Sequence, residues 1–229
     1  MATSSAKEAS FSPYEDNGGT NLAIAGQDYC VIASDTRQSR GYNINTRFAP
    51  KTFKLSDKTV LSTAGCQPDG NMVVTRIKQH MESYKHAHNK EMSTPAVGQL
   101  LSTMLYMKRF FPYYSFNILG GLDKEGKGCI YSYDAIGSAE RVPCLASGSA
   151  AALVQPFLDN QVRNCNQVGK PRIMAASPVS HLSLDQAIKI TKDAFTSATE
   201  RDIYTGDNLQ IFIVTRDGVE EQVHPLKRD

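Results

Sequence analysis

Gly18-Gly19-Thr20-Asn21-Leu22-Ala23-Ile24-Ala25-Gly26, a polar break at Gln27-Asp28, then Val31-Ile32-Ala33-Ser34-Asp35-Thr36-Arg37: the reading of this stretch decides the fold. Two short apolar runs flank a Gly-Gln-Asp turn signal, so two paired strands are expected, and the second delivers an acid and a base at its end. Thr52-Phe53-Lys54-Leu55 and Thr59-Val60-Leu61-Ser62 repeat the pattern around Ser56-Asp57-Lys58, so the chain is expected to open with about four strands.

Beyond Gly65 the period changes. Met72, Val73, Ile77, His80, Met81, Tyr84 and His88 recur at helical spacings, with Pro68 suited to a first turn. Thr94-Pro95 is expected to cap a second helix whose stripe runs Val97, Leu100, Leu101, Met104 and Leu105. Strand signals return at Phe116 to Leu119, Cys129 to Tyr133 and Pro143 to Ala146. The glycine-rich stretch Gly121 to Gly128 reads as a hairpin loop, because it lacks the order of a phosphate loop and sits between strands. Ser147-Gly148-Ser149 leads into a helix, Ser183-Leu184-Asp185-Gln186 is a capping box for a last long helix, and Leu209 to Thr215 with Val219 to Val223 closes the chain as a hairpin. Strands, two helices, strands, two helices, strands: this order predicts an α+β fold, a four-layer αββα sandwich of two antiparallel sheets.

The bulk composition narrows the function classes. The chain has 229 residues, 41% hydrophobic and 21% charged, with a net charge of +2, which offers no basic field for a nucleic acid. No run is long and apolar enough to span a bilayer, so neither nucleic acid nor membrane is expected as a partner. Five cysteines, Cys30, Cys66, Cys129, Cys144 and Cys165, are odd in number and widely spaced, as buried thiols in a reducing compartment would be. His80, His86 and His88 are poorly arranged for a shared metal on one helix, and no metal or cofactor is expected. Lys108-Arg109-Phe110-Phe111-Pro112-Tyr113-Tyr114 can close a core or form a contact surface.

Ser34-Asp35-Thr36-Arg37 with Pro50-Lys51, then Ala146-Ser147-Gly148-Ser149, then Glu200-Arg201-Asp202-Ile203-Tyr204-Thr205-Gly206, stand in an order and at separations that resemble the beta subunits of the proteasome. These belong to the N-terminal nucleophile hydrolases, peptidase family T1, and the likeness runs from Phe11 to Asp229. It implies the N-terminal nucleophile hydrolase fold. Asp35 and Lys51 match the family's catalytic acid and lysine and Arg37 their partner. Ser147 and Asp202 match the supporting serine and aspartate, and Thr205 stands where the family usually has a serine.

In this chemistry a Thr, Ser or Cys is freed by cleavage of the preceding bond, and its own amine serves as base. Active members carry that residue 16 positions before the aspartate, which here is Gly19. The resemblance therefore implies a silent subunit of a threonine endopeptidase complex, with Asp35, Arg37, Lys51, Ser147, Asp202 and Thr205 as a vestigial network. The alternative is an active threonine peptidase using Thr20 after processing. Against it, a one-residue displacement on a strand turns the side chain to the opposite face, away from Lys51.

The resemblance further implies a role in ubiquitin-dependent and ubiquitin-independent protein degradation, in the cytoplasm and nucleus. Its implied partners are beta-5 and beta-7 neighbours in the 20S core particle, alpha-ring subunits and the opposite beta ring. Asp134 would face the beta-5 neighbour's substrate channel, or else be a plain turn acid at a strand end. A small, polar leader, residues 1–9, would be trimmed by an active neighbour, leaving residues 10–229 as one domain.

Overall fold

β1 (Thr20–Ala25) and β2 (Cys30–Asp35) are buried along their whole length, because both faces of their sheet are covered. That is why their sequences run apolar instead of alternating. The structure, a computed structural model, describes residues 11–170, 172–173 and 179–229; the expected leader and the trimming point near Ser10 lie outside them.

The hairpin β3 (Gln38–Arg40) and β4 (Asn43–Thr46) follows, then β5 (Thr52–Ser56) and β6 (Thr59–Gly65). Helices α1 (Gln67–His88) and α2 (Thr94–Tyr106) come next, then β7 (Ser115–Leu122), β8 (Gly128–Tyr133), β9 (Ala139–Arg141) and β10 (Cys144–Gly148). Helices α3 (Ala151–Gln161) and α4 (Leu184–Thr199) precede the closing hairpin, β11 (Asn208–Thr215) and β12 (Gly218–Pro225).

One sheet has the order β10-β1-β2-β11-β12 and the other β5-β6-β7-β8-β9, every pairing antiparallel. Three apolar layers bind the four structural ones. Val154, Leu158 and Phe195 of α3 and α4 pack on Leu22, Ile24 and Ile211; Ala23, Ile32 and Phe212 meet Val60, Ile118 and Ile130 between the sheets; Leu61 and Leu119 meet Ile77, Leu101 and Leu105 of α1 and α2. The αββα sandwich expected from the order of strand and helix blocks is the fold observed.

Ser183 caps α4 in both directions: its side chain accepts from Gln186 N–H while the Gln186 side chain accepts from Ser183 N–H. Thr94 does not cap α2. The cap position is Ser93, and the Thr94 hydroxyl instead donates to the Lys58 carbonyl. β3, β4 and β9 went unanticipated because they are short and carry no alternation of apolar residues. Four of the five cysteines are buried and all five are free; burial pushes the Cys129 and Cys144 thiols up to about 12.

The turn joining β1 to β2 docks on the first residue of β8. Gly128 N–H donates to the Gly26 carbonyl at 3.0 Å, and a Cβ on Gly128 would overlap the Tyr29 carbonyl oxygen and stand 2.7 Å from that of Gly26. Backbone lies on the crowded side, so relief needs movement of a sheet. Gly128→Ala is expected to cost about 3 kcal/mol by denaturant unfolding, the upper part of the overpacking range; an unchanged midpoint would show that the turn yields freely.

Candidate functional site

Four loops converge on the first residues of β1. Asp35, at the end of β2, is fully buried, and each carboxylate oxygen takes two donors. Oδ1 accepts from Thr20 N–H at 2.8 Å and from Lys51 Nζ at 3.2 Å; Oδ2 accepts from Arg37 N–H at 3.2 Å and Gly206 N–H at 3.3 Å. Lys51, equally buried just before β5, donates also to the carbonyls of Asp35 at 3.0 Å and Arg37 at 2.6 Å. An ammonium has three hydrogens, and here three acceptors take them. Burial pushes the Asp35 carboxyl up and the Lys51 amine down, against the pull of their mutual attraction and of the N–H donors.

Residue 19 lies directly beside this lysine. A Cβ built on Gly19 would overlap Lys51 Cε and stand 2.8 Å from Nζ, and Gly19 holds φ at +88°, a conformation that disfavours any side chain. The place a nucleophile would occupy is filled by the lysine stem.

Thr20 belongs to a second cluster. Its hydroxyl accepts from Ala150 N–H at 3.0 Å and lies 2.7 Å from Thr205 Oγ1, which donates to Asp202 Oδ2 at 2.6 Å. With the Thr205 proton spent on Asp202, the Thr20 hydroxyl must donate to Thr205, so its proton is directed toward α3 and α4 and not toward Lys51. Its backbone N–H donates to Asp35.

The site thus differs in detail from the expected set. Ser149, not Ser147, makes the supporting bonds, donating to Asp202 Oδ2 at 2.6 Å and anchoring the Gly19 carbonyl through its N–H at 3.0 Å. Ser147 lies on β10 opposite Asn21. Asp202 and Thr205 serve Thr20 and not the lysine. Arg37 gives Lys51 only its carbonyl; its guanidinium bonds Asp207 at 2.8 Å and the Ile203 carbonyl at 2.8 Å. Asp134 closes the turn between β8 and β9, where Oδ1 accepts from Ile136 N–H at 3.1 Å and Ser138 N–H at 2.7 Å. On α1, His86 pairs with Glu82 and His88 stacks on Tyr84; among the described residues no three metal-binding groups cluster.

Sequence reasoning missed Asn17 and Asp207. Asn17 clamps the segment before Gly19. It donates to Gly65 and Ser39 carbonyls, its carbonyl takes Ser39 N–H and Oγ, and its Oδ1 takes Gln67 N–H. Upstream, Tyr14 stacks between Phe111 and Tyr114 and donates to the Pro112 carbonyl at 2.8 Å. The aromatic run after α2 therefore divides: Tyr113 joins the core beneath α1 and α2, Phe111 and Tyr114 receive Tyr14, and Phe110 is exposed.

A family profile described as Proteasome subunit matches residues 15–214. Among curated relatives, a Petunia hybrida protein named Proteasome subunit beta type-1 is 51% identical, over 97% of this chain and 99% of its own length. Proteasome subunit beta type-1 of Drosophila melanogaster is 49% identical over 97% and 93%, and Proteasome subunit beta type-6 of Saccharomyces cerevisiae 47% over 97% and 93%.

Asp207 gives the site a measurable acid limit. Burial alone would raise its carboxyl, but the hydrogen bonds and charges of Arg37 and Arg47 hold it below the usual carboxylate range. Its stabilising effect is therefore present above the unfolded carboxyl value of about 3.9 and is lost as pH falls through the folded one. Asp207→Asn, which leaves the buried Arg37 guanidinium only the Ile203 carbonyl and the exposed Asp229 carboxylate, is expected to cost about 3 kcal/mol at pH 7. That deficit should narrow in unfolding measurements below about pH 4; a deficit constant with pH would assign it to packing instead.

Proposed function

The chain belongs to the proteasome subunit family, and from that membership we propose that it is a non-catalytic beta subunit of the proteasome core particle, forming part of the chamber in which other subunits cut proteins. One observation carries the silence: the volume that a nucleophile on residue 19 would fill holds the Lys51 side chain, whose ammonium hydrogens are all engaged. The lysine acts as a strut between β1, β2 and β5. Thr20 is no substitute, because its hydroxyl hands its proton to Thr205, on the face away from Lys51.

The assembly supplies what the isolated cluster lacks. A silent beta subunit contributes walls and contacts, and its work is protein degradation by the particle, ubiquitin-dependent and ubiquitin-independent, in the cytoplasm and nucleus. Beta-5 and beta-7 subunits as lateral neighbours, the alpha ring on one side and the opposite beta ring on the other complete the arrangement we assign to it. The beta names of the relatives support the ring assignment.

A native extract separated by size and treated with a tagged, threonine-directed covalent inhibitor tests both parts. The chain is expected to migrate with a very large particle and to stay unlabelled while other subunits of that particle take the tag. A tag on Thr20 would overturn the silence, and migration as a free chain would overturn the assembly.

A further inference from the structure

The face of the first sheet that looks at the second sheet changes character along its length. In its middle it is apolar, with Ala23, Ile32 and Phe212 packed on Val60 and Ile118. Two residues nearer the site, side chains on the same face are Asn21 on β1, Ser34 on β2 and Gln210 on β11, since residues two apart on a strand share a face. The pairing register sets these three side by side with Ser147 of β10, as Ser147, Asn21, Ser34 and Gln210 across four adjacent strands. The second sheet answers with Thr52 and Ser62, whose hydroxyls lie 2.8 Å apart, and Thr52 Oγ1 donates to Ser34 Oγ at 2.8 Å.

Asn21 stands in the middle of this row. It is fully buried, yet neither its Oδ1 nor its Nδ2 has a protein partner among the described residues, and Gln210 Oε1 is likewise buried and unpaired. Leaving a buried amide unsatisfied costs about 1–3 kcal/mol for each group. An amide offers two donors and an acceptor, Ser34 keeps its own hydroxyl hydrogen after accepting from Thr52, and Gln210 offers a further acceptor. At the outer end of the row, Ser147 lines a cleft of about 350 Å³ beside Gly18 and Gly19, so the row runs inward from an opening.

We propose that this row is a binding site for buried water: one or more ordered molecules between the sheets, held by the Asn21 amide with Ser34, Ser147 and Gln210 as further partners. A buried water needs two to four polar partners, and this row supplies them between two sheets that are apolar further along. The water joins the two sheets at the end where the Lys51 and Thr20 clusters sit, beside the direct Thr52–Ser34 hydrogen bond.

A high-resolution map of the assembled particle tests this, with unfolding of an Asn21→Leu variant as the second arm. Solvent density about 2.7–3.2 Å from Oδ1 or Nδ2 of Asn21 is expected. The variant should lose that density and unfold at a lower temperature, because the remaining partners of the water are stranded. A well-ordered Asn21 with no solvent beside it, or one turned to bond Ser34 or Ser147 directly, would overturn the proposal. So would a rise in the unfolding temperature of Asn21→Leu, the result expected if a dry, unsatisfied amide had been removed. If the variant fails to assemble, the wild-type map alone decides.

Discussion

A lysine and an aspartate withdrawn from water hold the start of β1 in place. Taking two charges into a protein interior is favourable only when geometry and further hydrogen bonds compensate for lost hydration. Asp35 and Lys51 meet that condition through contacts to Thr20, Arg37 and Gly206, which belong to three separate stretches of chain. Removing either partner would leave a buried charge alone. A set of residues that resembles a catalytic one is thus accounted for by the contacts it makes.

Two clusters divide the labour across one turn of backbone. Gly19 faces the lysine and is filled by it; Thr20 faces the helical layer and ties Ala150, at the N-terminal cap of α3, to Thr205 beyond the end of α4. Thr20 opens β1 with its side chain toward the helices, while Gly19, just before the strand with φ at +88°, meets Lys51. Upstream, Asn17 and Tyr14 fasten the segment ahead of Gly19, Asn17 through five hydrogen bonds of its own and Tyr14 through ring contacts and one carbonyl. The carbonyl of Gly19 is itself anchored by Ser149 N–H.

Much of this was legible in the amino-acid order. β1 and β2 announce themselves as apolar runs because both faces are buried, and the capping box of α4 is written in Ser183 and Gln186; that Gly19 stands at the nucleophile position follows only from the resemblance to active proteasome beta subunits. That Ser149 and not Ser147 reaches Asp202 is not legible in the motif, because a motif match cannot say where a strand ends. Gly148, with φ at +93°, terminates β10 and delivers the second serine, not the first, to Asp202. Asn17 and Asp207 carried no pattern, since each works through backbone groups or partners distant in sequence. The hairpin of β3 and β4 was invisible because its exposed residues alternate nothing.

Whether the bond before Thr20 stays closed separates a silent subunit from an active one. Intact-mass measurement of this subunit from the assembled particle addresses it most directly. A mass that still includes Tyr14 to Gly18 is the expected result, with the strap under Phe111 and the Asn17 clamp in place. A chain whose first residue is Thr20 would contradict it, because both clusters would then have to rearrange around a freed amine.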